Sequence, residues 1–172
     1  DGADGRKLLP ETMGGGVAIA DFNGDGTLDL ALVDGDAWPD APEGSVRGQG
    51  VVMYMNDGAL RFIRAADPVL ATPGSFMGLT TADIDADGRV DLLVTGVHGV
   101  RLYRNITESG SGVRFEDITA KSGLAVDRGW STSAGFADFD GDGDLDLLLP
   151  HYVEWSPEID ARVDYRLAGV GR

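Results

Sequence analysis

The sequence predicts an all-β fold made of β-propeller blades, each with four antiparallel strands. An acidic segment of nine residues occurs three times, at residues 21–29 (loop 1), 83–91 (loop 2) and 138–146 (loop 3). Short apolar segments of strand length stand before and after each copy, and no stretch shows convincing helical periodicity. The copies begin 62 and 55 residues apart. Repeats of this length with four strands each are typical of propeller blades rather than of helical solenoids.

The composition is that of a globular domain whose negative charge is concentrated in the repeats. The 172 residues have a net charge of −15, and twelve of the 29 Asp and Glu residues lie in the three loops. The rest of the chain is close to neutral and has no basic stripe, so nucleic acid is not expected as a partner. The chain has no cysteine, which excludes disulfides and thiolate metal sites. No apolar segment is long enough for a transmembrane helix.

The first blade is predicted at residues 14–75, after a polar N-terminal linker at residues 1–13. A segment rich in Gly, Pro and Asp at residues 34–50 is expected as an insertion between the second and third strands. The sequence Asn56-Asp57-Gly58 predicts a tight turn before the fourth strand. The four strands are expected at residues 17–20, 28–33, 51–55 and 60–63.

The second blade is predicted at residues 76–130 and an incomplete third blade at residues 131–153, followed by a tail at residues 154–172 without clear strands. About two and a half blades leave open sheet edges and cannot close a ring. Residues 14–172 are therefore expected to form a partial propeller that belongs to a larger one. The expected strands are at residues 77–82, 92–95, 100–103 and 113–116 in the second blade, and at 131–137 and 147–149 in the third.

The three loops predict calcium sites. They share the pattern Asp-x-Asp/Asn-x-Asp-Gly-x-Leu/Val-Asp, which offers side-chain oxygens at positions 1, 3, 5 and 9 and a main-chain carbonyl at position 7. Calcium prefers about six to eight hard oxygen ligands in flexible geometry, whereas transition metals prefer nitrogen or sulfur. Loop 1 has the fewest carboxylates, with Asn23 at position 3, so it is expected to be the weakest site.

An EF-hand is excluded by the residues that follow each loop. An EF-hand needs a bidentate Glu at position 12 and flanking helices, but position 12 is Leu32, Val94 or Leu149, within predicted strands. A metal-free turn rich in Asp and Asn remains the alternative for one isolated copy. Three copies in phase with a strand repeat favour metal sites.

Two of the loops, with their preceding strands, resemble FG-GAP/VCBS repeats, the blades of integrin-α-like propellers, at residues 17–30 and 134–147. Further phrases are similar to the ASPIC/UnbV (cartilage acidic protein-like) group, so that the resemblance covers residues 8 to about 153. It implies a seven-bladed parent propeller, calcium in the loops and a secreted, periplasmic or cell-surface location. The phrases lie at residues 10–16, 102–105, 115–120, 123–124 and 130–133.

Carried over to this sequence, the family's motif implies up to three calcium sites. Residues Thr27, Arg89 and Asp144 at position 7 would contribute main-chain oxygen only. The side-chain ligands implied are Asp21, Asn23, Asp25 and Asp29 in loop 1, Asp83, Asp85, Asp87 and Asp91 in loop 2, and Asp138, Asp140, Asp142 and Asp146 in loop 3.

The function expected from these features is that of a non-enzymatic calcium-binding module in which calcium is structural and a protein or carbohydrate partner is bound. Two alternatives remain open: an accessory subunit of a large extracytoplasmic complex, and the non-catalytic part of a propeller-based hydrolase or lyase. His98 and His151 are expected as turn residues, since neither stands in a catalytic motif. Trp38, Trp130 and Trp155 are expected either to pack internally or to form a binding surface.

Overall fold

The structure, a computed structural model, describes residues 8–36, 43, 45, 48–97, 99–126 and 129–163. The predictions for residues 1–7, for Trp38, for His98 and for residues 164–172 lie outside the described residues.

The first sheet is an antiparallel meander. Its second strand alternates between fully and partly buried residues, with Asp29, Ala31 and Val33 on the buried face, as expected for a sheet packed on one side. Its strands, which pair in sequence order, are β1 (Val17–Ala20), β2 (Asp29–Asp34), β3 (Gly50–Asn56) and β4 (Phe62–Ala65).

The second sheet repeats this meander, and every residue of its second strand is buried. Both faces of that strand are covered because one sheet packs on each side of it. The strands are β5 (Phe76–Ala82), β6 (Asp91–Gly96), β7 (Gly99–Asn105) and β8 (Phe115–Asp117).

The third sheet has two strands among the described residues, β9 (Gly135–Ala137) and β10 (Asp146–Leu148). The helical elements described are a four-residue helix, α1 (Pro157–Asp160), and two 3₁₀ turns, Leu9–Thr12 and Leu124–Val126. The predicted fold class is confirmed: the chain is nearly all-β, with antiparallel four-stranded sheets in the manner of propeller blades.

The hydrophobic core lies between successive sheets. Strand β6 supplies both layers: Leu92 and Val94 face the first sheet, where they pack near Met53, while Leu93 faces the third sheet near Leu147. The first strands of the sheets, β1, β5 and β9, contact one another in turn. The acidic loops, which all follow these first strands, are thereby placed at the same end of each sheet.

The strands differ from the predicted bounds by one or two residues in most cases, and two late starts stand out. The fourth strand begins at Phe62 rather than at Leu60, since the Asn56 Oδ1 accepts the N–H groups of Gly58 at 3.0 Å and Leu60 at 3.2 Å, and Leu60 has a φ of 59°. Of the predicted strand at 131–137, only residues 135–137 form strand β9, and Ser131 makes an isolated bridge with His151.

The tail packs back on the start of the described chain. Trp130 and Trp155 are both buried, with ring centroids 5.8 Å apart in an edge-to-face arrangement, in a cluster that includes Leu8. The backbone N–H of Leu9 donates to the Asp160 Oδ2 at 3.0 Å. These two tryptophans are therefore packing residues. No helix among the described residues is long and apolar enough to cross a membrane.

Candidate metal centres

Each loop is organised by the carboxylate at position 1. In loop 1, the Asp21 carboxylate accepts backbone N–H groups from Gly24 at 2.8 Å, Asp25 at 3.1 Å and Gly26 at 2.8 Å. Asp83 and Asp138 accept two backbone N–H groups each in the same way. These bonds wrap the loop around its first side chain.

The wrapping requires positive φ angles at positions 4 and 6. Both positions are glycine in loops 1 and 3, with φ between 74° and 96°. In loop 2, position 4 is Ala86, at φ 55°, a left-handed conformation that costs an L residue about 1–2 kcal/mol. The geometry is thus kept in loop 2 in spite of backbone strain.

The aspartates at position 9 of loops 1 and 2 are buried at the start of a second strand. Asp29 and Asp91 are 0% and 1% exposed. The Asp91 carboxylate accepts the backbone N–H groups of Ile84 at 3.0 Å and Asn105 at 2.6 Å. Burial raises the pKa of both carboxyls above the usual value, and the other loop carboxylates raise it further. The backbone N–H groups that donate to each carboxylate lower its pKa and offset part of this rise. A cation in the loop would relieve both effects.

Positions 1, 3 and 9 converge in two loops. In loop 2, one oxygen each from Asp83, Asp85 and Asp91 lie within 4.8 Å of one another. The same holds for Asp138, Asp140 and Asp146 in loop 3. Such sets of hard oxygens fit calcium. Loop 1 has an amide, Asn23, at position 3, where the other loops have a carboxylate.

The position-5 aspartates bond within their own loops. Oδ1 of Asp25, Asp87 and Asp142 accepts the backbone N–H of position 7 at 2.8–2.9 Å. The hydrogen bonds from Thr27, first its side chain and then its backbone, lower the pKa of Asp25. The role of these three residues as metal ligands stays a prediction, as do the carbonyl ligands of position 7.

Two asparagines that sequence reasoning missed hold the loops against the third strands. Asn56 ends β3 and Asn105 ends β7, and the backbone N–H of each donates to the position-9 aspartate of its blade. The Nδ2 of Asn105 also donates to the carbonyl of Phe22 in the preceding blade at 2.9 Å and to that of Val90 at 3.1 Å. Residues 105–107, Asn-Ile-Thr, also match the sequon for N-glycosylation. Because Asn105 is 0% exposed, this sequon does not present a free amide for glycosylation.

The side chains at position 7 also have a role that sequence reasoning missed. The Thr27 hydroxyl lies 3.1 Å from the carbonyl oxygen of Asn56 and 2.6 Å from the Asp25 Oδ1. In loop 2, the Arg89 Nε donates to the carbonyl of Asn105 at 2.8 Å, and its Nη2 pairs with the position-5 carboxylate. Position 7 therefore ties the loop to the third strand in both blades.

The exposure of the apolar side chain at position 2 differs between blades, according to whether another sheet covers it. Phe22 is 1% exposed and lies edge-to-face with Phe115 of the next blade, at 6.4 Å between ring centroids. A second link is made by Asp67, after β4, whose Oδ2 accepts the N–H of Phe115 at 2.6 Å. Phe139, the equivalent of Phe22 in loop 3, is 65% exposed.

Comparison of the sequence with known proteins finds relatives of one kind in three vertebrates. Cartilage acidic protein 1 from Homo sapiens and from Mus musculus are each 30% identical to the chain over 149 residues, and the protein of that name from Xenopus tropicalis is 29% identical over 145 residues. The alignments cover 80–83% of this chain but 21% of each relative, so the chain spans about a fifth of their length.

The sequence pattern of the FG-GAP-like repeat matches residues 33–94 and 83–149. These two matches contain loops 2 and 3 and the strands around them. The resemblance to FG-GAP repeats and to the ASPIC/UnbV group is thus confirmed, and the chain belongs to the FG-GAP-like repeat family.

Proposed function

We propose that this chain is a non-enzymatic, calcium-stabilised β-propeller module that displays a binding surface for a protein or carbohydrate partner outside the cytoplasm. The observation that carries the proposal is the convergence of three carboxylates in each of loops 2 and 3, to within 4.8 Å. Like charges at this separation repel one another, and a divalent cation among them removes the repulsion.

Calcium would act here as a structural ion. Positions 1 and 3 belong to the loop and position 9 begins the second strand, so one ion would join the first and second strands of a blade. Because it binds the folded loop, it adds stability by mass action, by about 2.7 kcal/mol per site at a calcium concentration about 100 times Kd. The chemistry that calcium supplies is charge neutralisation; the carboxylates position it.

The proposed location follows from this role. Calcium sites of extracellular modules have a Kd of about 10⁻⁴–10⁻³ M and are filled where calcium is abundant. The resemblance to cartilage acidic protein 1 supports a module of this kind. The fold does not identify the partner, because propeller scaffolds carry many functions. The proposal of a protein or carbohydrate partner therefore rests on the resemblance to the family.

A matched pair of variants in loop 3 tests the proposal. Asp140→Ala removes one of the converging carboxylates, whereas Asp144→Ala removes the same charge from position 7, where only the main chain is a predicted ligand. Chelation should lower the melting temperature of the wild type. Asp140→Ala should lose much of the calcium-dependent gain, and Asp144→Ala should keep it. A melting curve indifferent to chelator would refute structural calcium.

We infer further that residues 14–75, 76–130 and 131–153 are successive blades of a larger propeller, expected to be seven-bladed. The first sheet exposes Val17 and Ile19 of β1, and the third sheet exposes Phe139 and Leu148. The equivalents of Phe139 and Leu148 in the first blade, Phe22 and Ala31, are buried. Neighbouring blades would cover these faces as the first and second sheets cover each other.

The variant Phe139→Ala tests this arrangement. If a further blade covers Phe139, the substitution should destabilise the full-length protein by about 3 kcal/mol, the usual cost of truncating a buried Phe. In residues 1–172 alone, where the ring is 65% exposed, the effect should be small. Equal, small effects in both proteins would argue against a covering blade.

A further inference from the structure

We propose that loop 2 carries its own counter-cation: Arg104 competes with calcium for the Asp85 carboxylate, lowers the calcium affinity of this loop and keeps it folded when calcium is absent. The inference rests on the proposed calcium function and explains how one loop differs from the others.

The geometry places the guanidinium of Arg104 on a predicted calcium ligand. Its Nη2 lies 2.6 Å from the Asp85 Oδ2 and 3.5 Å from the Asp87 Oδ2. Asp85 is one of the three converging carboxylates of loop 2. Arg89 pairs with Asp87 as well. Two of the four carboxylates in this loop therefore face an arginine.

In the part of the chain that the structure describes, loops 1 and 3 lack such a partner. Among the described residues, no carboxylate of loops 1 and 3 forms an ion pair. The first blade differs at both members of this ion pair: position 3 of its loop is Asn23 instead of a carboxylate, and the arginine is replaced as well. The strand pairing aligns Tyr54 with Tyr103, since these face Leu30 and Leu92 directly after the position-9 aspartates. Met55 of the first blade is therefore the equivalent of Arg104.

The ion pair can be displaced. The side chains of Arg104 and Asp85 are 39% and 31% exposed, so the guanidinium can move into solvent when a divalent cation takes its place. The Arg104 Nε is buried without a hydrogen bond in the described part of the chain, so no bond from that atom holds the side chain. An arginine stays charged at all physiological pH values, so the competition does not depend on its titration.

Calcium binding to loop 2 must therefore break the contact with Arg104 and place two cations close together. We expect removal of this charge to tighten calcium binding by about tenfold, the size expected for charges that interact near a protein surface. In chelator, removal of this charge should instead destabilise the protein, because the carboxylates of loop 2 lose a compensating positive charge.

The test is a calorimetric calcium titration of the full-length wild-type protein and the Arg104→Met variant, with melting curves in calcium and in chelator. Arg104→Met gives this position the residue that the first blade has there, Met55. The variant should show one calcium site tightened by about tenfold and a lower melting temperature in chelator. Arg114→Met is the matched control, because Arg114 is exposed, lies outside the loops and carries the same charge; it should change neither quantity.

Unchanged calcium affinity in Arg104→Met, or an equal change in Arg114→Met, would overturn the inference while leaving structural calcium intact. Absence of calcium binding in both wild type and variant would overturn the proposed function together with it. If Arg104→Met does not fold, Arg104→Gln removes the same charge but keeps a long polar side chain, and its calcium titration tests the same competition. Unchanged calcium affinity in Arg104→Gln would contradict the competition.

Discussion

Replacement of Asn105 by alanine should be among the most destabilising single changes in the chain. The side chain is 0% exposed and makes three hydrogen bonds. Its Nδ2 donates to the carbonyls of Phe22 and Val90, and its Oδ1 accepts the N–H of Thr107 at 2.9 Å. Alanine would leave these backbone groups without their partner in a buried site.

The expected loss follows from the number of bonds and their burial. A hydrogen bond contributes about 0.5–1.5 kcal/mol net, and a buried group left unsatisfied costs about 1–3 kcal/mol. For Asn105→Ala we therefore expect a loss of about 3–4 kcal/mol. In a domain of this size this corresponds to a fall in melting temperature of roughly 6–15 °C.

Asn56→Ala is the control, since Asn56 has the equivalent place in the first blade. Its Oδ1 accepts the N–H groups of Gly58 and Leu60 in an exposed turn, and its Nδ2 donates to the carbonyl of Leu28 at 3.2 Å. Water can replace the bonds in the turn, so we expect a loss of about 1–2 kcal/mol. Denaturant unfolding of both variants measures the difference. Equal losses would show that the bond from Asn105 to Phe22, which joins two blades, contributes nothing.

Three further changes have defined outcomes. Ala86→Gly should stabilise the protein by up to about 1 kcal/mol in denaturant unfolding, because glycine relieves the positive φ although it has more freedom when unfolded; a loss would contradict the strain. In chelator, the melting temperature should rise as the pH falls from neutrality toward the raised pKa of Asp29 and Asp91. A carboxyl whose pKa is raised by folding contributes its full stabilisation below the pKa of the unfolded state. This stabilisation is lost as the pH rises through the pKa of the folded state. Calcium should suppress this trend, because it binds the ionised carboxylates, and a trend of equal size in calcium would count against the account. Asp160→Ala should cost about 1–2 kcal/mol by leaving the N–H of Leu9 unpaired, and tryptophan fluorescence during unfolding would detect the loss.

The blades could be predicted from the sequence because the information is local and repeated. The acidic loop fixes the first and second strands on either side of it, and β1 lies at Val17–Ala20 as predicted. The convergence of positions 1, 3 and 9 depends on backbone wrapping that the glycines at positions 4 and 6 permit. The calcium ligand set as a whole stays a prediction.

The contacts between elements could not be predicted in this way. Asn56 looks like the start of a local turn, and its bond to a distant aspartate depends on strand pairing. A signal was nonetheless present, because the sequence Tyr-x-Asn ends the third strand of both complete sheets, at residues 54–56 and 103–105. The tail has no comparable signal in its sequence. The hydrogen bond from the Leu9 N–H to the Asp160 carboxylate joins residues 151 positions apart, and neither residue belongs to a repeated pattern.

The two links between the first and second sheets have a consequence for local opening. Asn105 holds the carbonyl of Phe22, and Asp67 holds the N–H of Phe115, so that the two sheets are joined at separate places. Neither sheet can open alone without uncovering buried donors or acceptors of the other. In native-state hydrogen exchange, the amides of β1–β4 and β5–β8 should therefore exchange as one cooperative unit, whereas those of β9 and β10 should exchange earlier.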